Sequence, residues 1–148
     1  PTTALDVTIQ AQVLVLLSDL KARRGLAPLF LPHNLGVVAQ IADRVAVMYA
    51  GQIVEEAGVE AIFAAPAHPY TRALFQAIPR MDLDDQALAA IPGRVPPLDA
   101  MPAGCRFQPR CPLAQAGCEV PQVLAGMAAG HRARCHVATG VVKELADA

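Results

Sequence analysis

From Ile91 to Pro112 the chain carries proline at 92, 96, 97, 102, 109 and 112. Proline has a fixed φ and no backbone N–H, so this spacing excludes a helix or a sheet ladder there. Such a segment is a linker, or it is tied down by something other than backbone ladders. All four cysteines lie at or after position 105. They are Cys105, Cys111, Cys118 and Cys135, spaced C-x5-C-x6-C-x16-C. The first 104 residues have none, so the sequence divides by chemistry near Ile91. Segment 91–136 holds few large apolar side chains, and burial alone is not expected to fold it.

The remainder is apolar enough for a core. Of 148 residues, 54% are hydrophobic and 17% charged, which argues against disorder. A net charge of −1 gives no bulk reason to expect nucleic acid as a partner. No apolar run reaches the length of a membrane span. The chain opens on Pro1 rather than Met and is read as the C-terminal piece of something longer. On that reading a missing signal peptide carries no information.

Pro1–Val7 reads as a turn carrying Asp6, and Thr8 as the cap of a helix running to Arg24. Ile9, Val13, Leu16, Leu17 and Leu20 fall on one face at helical spacing. Lys21, Arg23 and Arg24 suit the helix dipole at its last turn, and Gly25 stops it. Leu29, Phe30 and Leu31 then form a short apolar run between prolines, which suits a buried strand over 27–31. It ends at His33, and Asn34 is placed to cap a helix over Leu35–Ala42. In open α/β sheets, ligands gather beyond the carboxyl ends of such strands, which makes His33 a candidate site residue; the alternative is a histidine that satisfies a turn.

Arg44–Tyr49 alternates as a strand with Val45, Val47 and Tyr49 on one side. Ala50-Gly51 turns the chain, and Gln52–Glu56 returns. Short helices follow over Val59–Ala64, with a face of Val59, Ile62 and Phe63, and over Thr71–Ile78, between Pro69 and Pro79. A weak helix is expected over Asp82–Ala90. There is no internal repeat. His68 and Tyr70 suggest acid–base chemistry, but no carboxylate is spaced with them. The favoured expectation is that His68-Pro69 starts a helix and Tyr70 packs.

Four thiolates in a proline-rich stretch can hold zinc or an iron–sulfur cluster, and an even count also permits two disulfides. Without a C-x2-C knuckle the spacing selects neither metal. His131 and His136 are candidate substitute ligands. Arg106, Arg110, Arg132 and Arg134 surround the cysteines, either offsetting the charge of a cluster or simply solvated.

The opening PTTALD, then helix, strand, His33 and helix, resembles the C-terminal half of an ABC transporter ATPase domain. VAVMYAGQIVEEAG resembles the hairpin that follows in that family. From Gly58 to Arg80, GVEAIFAAPAHPYTRALFQAIPR resembles the segment after the ATPase core in oligopeptide and dipeptide importers. IPGRVPPL, GCRFQPRCPLA and the two later cysteines resemble the same subfamily's C-terminal extension. The resemblance covers nearly all of Pro1–His136. It implies an α/β fold: the C-terminal part of an ABC-type ATPase domain over 1–64, a helical connector over 65–90, a loop-rich, cysteine-containing metal-binding extension over 91–136, and a tail over 137–148.

By the same resemblance, Asp6 is the aspartate that helps join two ATPase domains, and His33 contacts the terminal phosphate and the attacking water. For Asp6, the residues alone favour only an acid near a helix N-terminus. Where the family commonly has Thr-His-Asp, this chain has Pro32-His33-Asn34, and Pro32 removes a backbone donor. The phosphate loop G-x-x-x-x-G-K-[ST] is absent, as is the acidic pair expected before Pro1, so most ATP and Mg contacts fall to the parent protein. The implied activity is ATP hydrolysis energising import of peptides or similar small solutes, by a peripheral subunit at the cytoplasmic face of the membrane. The implied partners are a second ATPase subunit and transmembrane permease subunits. A cytosolic setting disfavours disulfides, and the subfamily tips the metal toward [4Fe-4S] over zinc at Cys105, Cys111, Cys118 and Cys135. The rivals are a metal-stabilised interaction or redox module, and an inactive fragment without ATPase activity.

Overall fold

The β-hairpin is where local sequence and structure agree most closely. In this computed structural model, which describes residues 7–32, 34–77, 90–128 and 130–138, β1 spans Arg44–Tyr49 and β2 spans Gln52–Gly58. Ala50 and Gly51 both take positive φ, +47° and +79°, as a two-residue turn matched to strand twist requires. Val47 and Tyr49 point inward while Ala46 and Met48 stay exposed, and one register shift falls between Val47 and Met48. β2 is covered on both faces, with Val54, Glu55 and Ala57 all buried. α3 (Val59–Ala64) follows and buries Ile62. α4 spans Pro69–Gln76. It begins two residues before the expected Thr71, because His68 supplies a side-chain cap and Pro69 suits the first helical position.

The proline-rich stretch holds only two single turns of 3-10 helix, at Leu98–Ala100 and Gln108–Arg110. Two short strands beyond it were not expected: β3 (Ala125–Ala128) and β4 (His131–Ala133). They extend the hairpin into a four-stranded sheet of order β1-β2-β4-β3, with neighbours antiparallel. A four-residue strand containing Gly126 and a three-residue strand preceded by Gly130 carry almost no periodic signal, and pairing of β4 with β2 and of β3 with β4 is what makes them strands. The main core joins Val47, Tyr49, Val54, Ala57 and Ile62 to Phe107 from the cysteine-bearing stretch. A smaller cluster joins Ala67, Ala133, Cys135 and Ala138. These elements belong to one compact unit, Asp43–Ala148.

The other compact unit is Pro1–Ala42. α1 spans Val7–Arg24 and is stopped by Gly25 at φ +61°. Thr8 lies inside the helix rather than capping it. Among the described side chains of α1, Leu14 is buried, while Ile9 and Leu16 of the expected apolar face are exposed. α2 spans Leu35–Ile41, and the Asn34 side chain accepts the Gly36 N–H at 2.8 Å, as a cap should. Lys21 Nζ donates to the Ile41 carbonyl at 3.2 Å.

The strand expected at 27–31 does not form. Residues 25–32 have no regular structure, and Leu29 and Leu31 are 90% and 84% exposed. A strand exists only beside another strand, and the four-stranded sheet includes none of these residues. Pro28 and Pro32 also withhold two donors. Asp6, His33 and all of the expected helix over Asp82–Ala90 but Ala90 lie outside the described residues. Among the described residues, no helix is long and apolar enough to cross a membrane.

Candidate functional site

The four cysteines are delivered by tight turns and one strand. Cys105, Cys111 and Cys118 sit in successive turns: the Gln108 N–H donates to the Cys105 carbonyl, that of Ala114 to Cys111, and that of Cys118 to Gln115. The Cys105 N–H reaches across to the Cys118 carbonyl at 2.9 Å. A Cβ at Gly104 would collide with the backbone of Cys118 and Glu119, so this crossing admits only glycine. Cys135 arrives just after β4, which pairing with β2 fixes in place. None of the four is in a disulfide; Cys118 and Cys135 are buried, and Cys105 and Cys111 are half-buried.

Three of the thiols sit where their own backbone turns back on them. Burial pushes Cys105 above the usual thiol range, the N–H groups of Phe107 and Gln108 pull it down, and a charge on Cys118 pushes it up again. Burial likewise raises Cys111, opposed by the Leu113 N–H, with Cys105 and Cys118 adding to the rise. Burial raises Cys135, opposed by the N–H groups of Ala138 and Val137, with Cys105 and Cys111 again adding. The Ala138 N–H lies 3.5 Å from Cys135 Sγ. The thiols therefore share a neighbourhood in which ionising one hinders the next, and backbone donors aim at three of the sulfurs. In chemistry this donor set fits a thiophilic metal or an iron–sulfur cluster. Among the described residues, however, no three of His, Cys, Asp or Glu stand close enough together to hold an ion as they are.

The two histidines named as substitute ligands have other work. His131 Nε2 lies 2.7 Å from Glu55 Oε1. His136 stands beside Glu119, whose carboxyl is held low first by its own N–H and that of Gly117, then by His136. The arginines are not merely solvated. Arg106 donates to the Ala50 carbonyl. Arg110 donates to the carbonyls of Pro92 and Ile91 and to the Tyr49 hydroxyl. Arg134 donates to the carbonyls of Ile53 and Gln122, and Arg132 pairs with Glu56.

Glu55 was not anticipated, and it is the residue that organises the His-Pro-Tyr-Thr turn. Its carboxylate is fully buried. It accepts the N–H of Ala67 at 2.7 Å and of His68 at 2.8 Å, besides its contact to His131. The carboxylate missing from the local spacing of His68 and Tyr70 is thus supplied from 13 residues upstream. His68 Nδ1 caps α4 by accepting the Tyr70 N–H at 3.0 Å. Desolvation lowers its pKa to about 4 despite the nearby Glu55, so the ring is neutral at pH 7. Its Nε2 lies toward the Arg134 carbonyl without making a hydrogen bond. The Tyr70 ring packs on Tyr49 and Phe107, at 4.7 and 5.4 Å between centroids. The turn is a structural clasp among β2, β4 and α4. A cavity of about 420 Å³ opens beside it, lined by Ala73, Gln76, Ile91, Phe107, Arg110 and Cys111 among others.

Residues 54–118, from Val54 to Cys118, match the family described as oligopeptide/dipeptide transporter, C-terminal region. The matched stretch is similar to that C-terminal region. It holds Glu55, the His-Pro-Tyr-Thr turn and three of the cysteines. Similarity to whole proteins reaches further along the chain. A Brucella abortus protein named for peptide import and ATP binding is 47% identical over 135 residues, covering 91% of this chain and 41% of its own length. A Sinorhizobium fredii protein named as a peptide ABC transporter ATP-binding protein is 52% identical over 144 residues, covering 96% and 43%. A Brucella ovis protein named like the first is 50% identical over 143 residues, covering 91% and 42%. The chain thus spans less than half the length of these relatives. The match to the oligopeptide/dipeptide C-terminal region lies in its middle, and β3 and β4, with Cys135, lie past it.

Proposed function

We propose that this chain is the C-terminal part of an ATP-binding subunit that hydrolyses ATP to energise import of peptides or similar small solutes. The observation that carries this is identity of 47–52%, over most of the chain, to proteins whose names specify peptide import and ATP binding. The fold assignment is the C-terminal part of an ABC-type ATPase domain, a helical connector and a cysteine-rich extension. Leu29–Leu31 then gains its strand partner from the rest of the ATPase domain, which accounts for apolar side chains left in solvent here. In the parent protein His33 acts at the terminal phosphate of ATP, and Asp6 at the interface with a second ATPase subunit. Magnesium and most nucleotide contacts come from the parent's other residues. The permease subunits lie in the membrane, and this subunit sits against their cytoplasmic face.

The test is the parent protein carrying His33→Ala. Turnover is expected to fall on the order of a hundredfold or more while nucleotide binding stays nearly unchanged, because the group acts where charge develops. Unchanged steady-state hydrolysis would mean that Pro32 and Asn34 have moved the histidine out of its role.

Cys105, Cys111, Cys118 and Cys135 are assigned to a metal centre, a [4Fe-4S] cluster ahead of zinc. Backbone donors aimed at three sulfurs support this, since such donors stabilise thiolate ligands. When bound, the metal would supply cross-links among three loops that have little core of their own. The same thiol set favours a second reading, a metal-stabilised interaction or redox module without ATPase activity. A phosphate loop and an acidic pair in frame upstream of Pro1 would exclude that reading.

A further inference from the structure

Three of the four cysteines have an arginine as immediate sequence neighbour: Arg106 after Cys105, Arg110 before Cys111 and Arg134 before Cys135. All three arginines end on the tip of the β1–β2 hairpin. Arg106 donates to Ala50, Arg110 to Tyr49 Oη at 3.3 Å, and Arg134 to Ile53 at 2.9 Å. The Arg134 N–H adds a bond to the Val54 carbonyl at 2.8 Å. The fourth cysteine is tied to the first by the Cys105–Cys118 backbone bond. Segment 101–118 has no strand or α-helix of its own to hold three thiols in place.

We propose that the hairpin tip, residues 49–54, is the positioning element of the cysteine centre, acting through Arg106, Arg110 and Arg134 as positioning residues. The inference rests on the reading of the four cysteines as one centre. A planar guanidinium donates along fixed directions, so each bond constrains where the adjoining Cα stands. The coupling is reciprocal by linkage: a change at the turn reaches the thiols, and closing the thiols holds the turn. Gly51 is the sharpest probe, because it changes no charge and lies some 50 residues from the nearest cysteine in sequence. Its φ is +79°, and an added Cβ would stand 3.4 Å from Arg106 Nη1.

The experiment measures alkylation of each cysteine by iodoacetamide, resolved by peptide mass spectrometry, on the full chain as purified and after chelation. The variants are Gly51→Ala, Arg106→Lys and Arg134→Lys, all charge-preserving. Ile62→Val serves as a control that weakens the same core away from the tip. Weakening one guanidinium bond to the tip is expected to speed the nearest thiol about fivefold: Cys105 in the first two variants and Cys135 in the third. The remaining thiols, and all four in Ile62→Val, should each stay within about twofold of their rates in the unsubstituted chain. Equal acceleration of all four thiols in every variant would overturn the proposal by making the effect general loosening. Unchanged rates in all three would overturn it as well.

Zinc titration of the same proteins separates this inference from the metal assignment. Site-selective acceleration with no zinc bound by the unsubstituted chain supports the positioning role and rejects the zinc form of the centre. Stoichiometric binding of equal affinity in all variants, with unchanged rates, keeps the metal and rejects the positioning role.

Discussion

His68 is buried as a neutral imidazole with a pKa near 4, against 6.5 for a free histidine. The unfolded chain therefore binds the extra proton more readily between those values. The resulting stability is fully present above about pH 6.5 and is lost as the pH falls toward 4, a change of about 3 kcal/mol. Urea unfolding at pH 7.5 and pH 5.0 should show about 2 kcal/mol of it, since pH 5.0 lies only part-way to the folded value. His68→Asn keeps a capping acceptor, removes the titration and should flatten the pH dependence. Glu55 makes a second prediction. Glu55→Ala strands the N–H groups of Ala67 and His68 and removes the partner of His131, all inside the core. The expected loss is about 3–5 kcal/mol by urea midpoint, with Glu55→Gln milder because one oxygen remains. A loss below about 1 kcal/mol would mean water replaces the carboxylate. His68 was legible as a helix start because His-Pro before a helical pattern has a local reason. Glu55 was not, because its contact to His131 spans 76 residues and its neighbour Glu56 makes the pair look like a solvated edge.

At the scale of elements, legibility followed how local the cause was. The hairpin, α2 with its Asn34 cap, and α3 each depend on residues within a turn of one another, and each appears where expected. The strand at 27–31 failed because apolar content makes a strand only when a neighbour completes the ladder. β3 and β4 failed in the opposite sense: weak segments became strands because β2 offered an edge. Spacing and prolines single out the cysteines in the sequence, but the bonds of their arginines were not legible. Nothing in Arg-Cys adjacency tells whether a guanidinium faces water or a carbonyl more than 50 residues away. Ala50 carries a cost of its own, because a non-glycine residue at φ +47° is strained. Ala50→Gly is therefore expected to be neutral or to stabilise by up to about 1 kcal/mol in thermal unfolding, the freed strain opposing added chain entropy. A clear loss of stability would show that the backbone here is held against the intrinsic preference by more than the turn.

At the scale of the molecule, the cysteine-bearing stretch is continuous with the hairpin's core. Phe107 is buried with Val47, Tyr49 and Ile62, and Cys105 and Cys111 pack against the same cluster. Losing closure at the thiols therefore should not stop at Ile91. The 148 residues lack a phosphate loop, so calorimetry is expected to find no micromolar ATP binding by this chain. The metal assignment predicts one centre per chain, brown when purified without oxygen, with iron and sulfide in equal amounts. Serine at Cys105, Cys111, Cys118 or Cys135 should remove the colour. Because β4 and Phe107 tie the two parts together, the same substitution should also speed proteolysis within 44–58, not only within 91–136. Cleavage confined to 91–136 would show that the hairpin holds without the centre. Colourless protein with one zinc per chain would keep the ligands and change the metal. Two disulfides with no metal in freshly prepared protein would reject both forms of the centre.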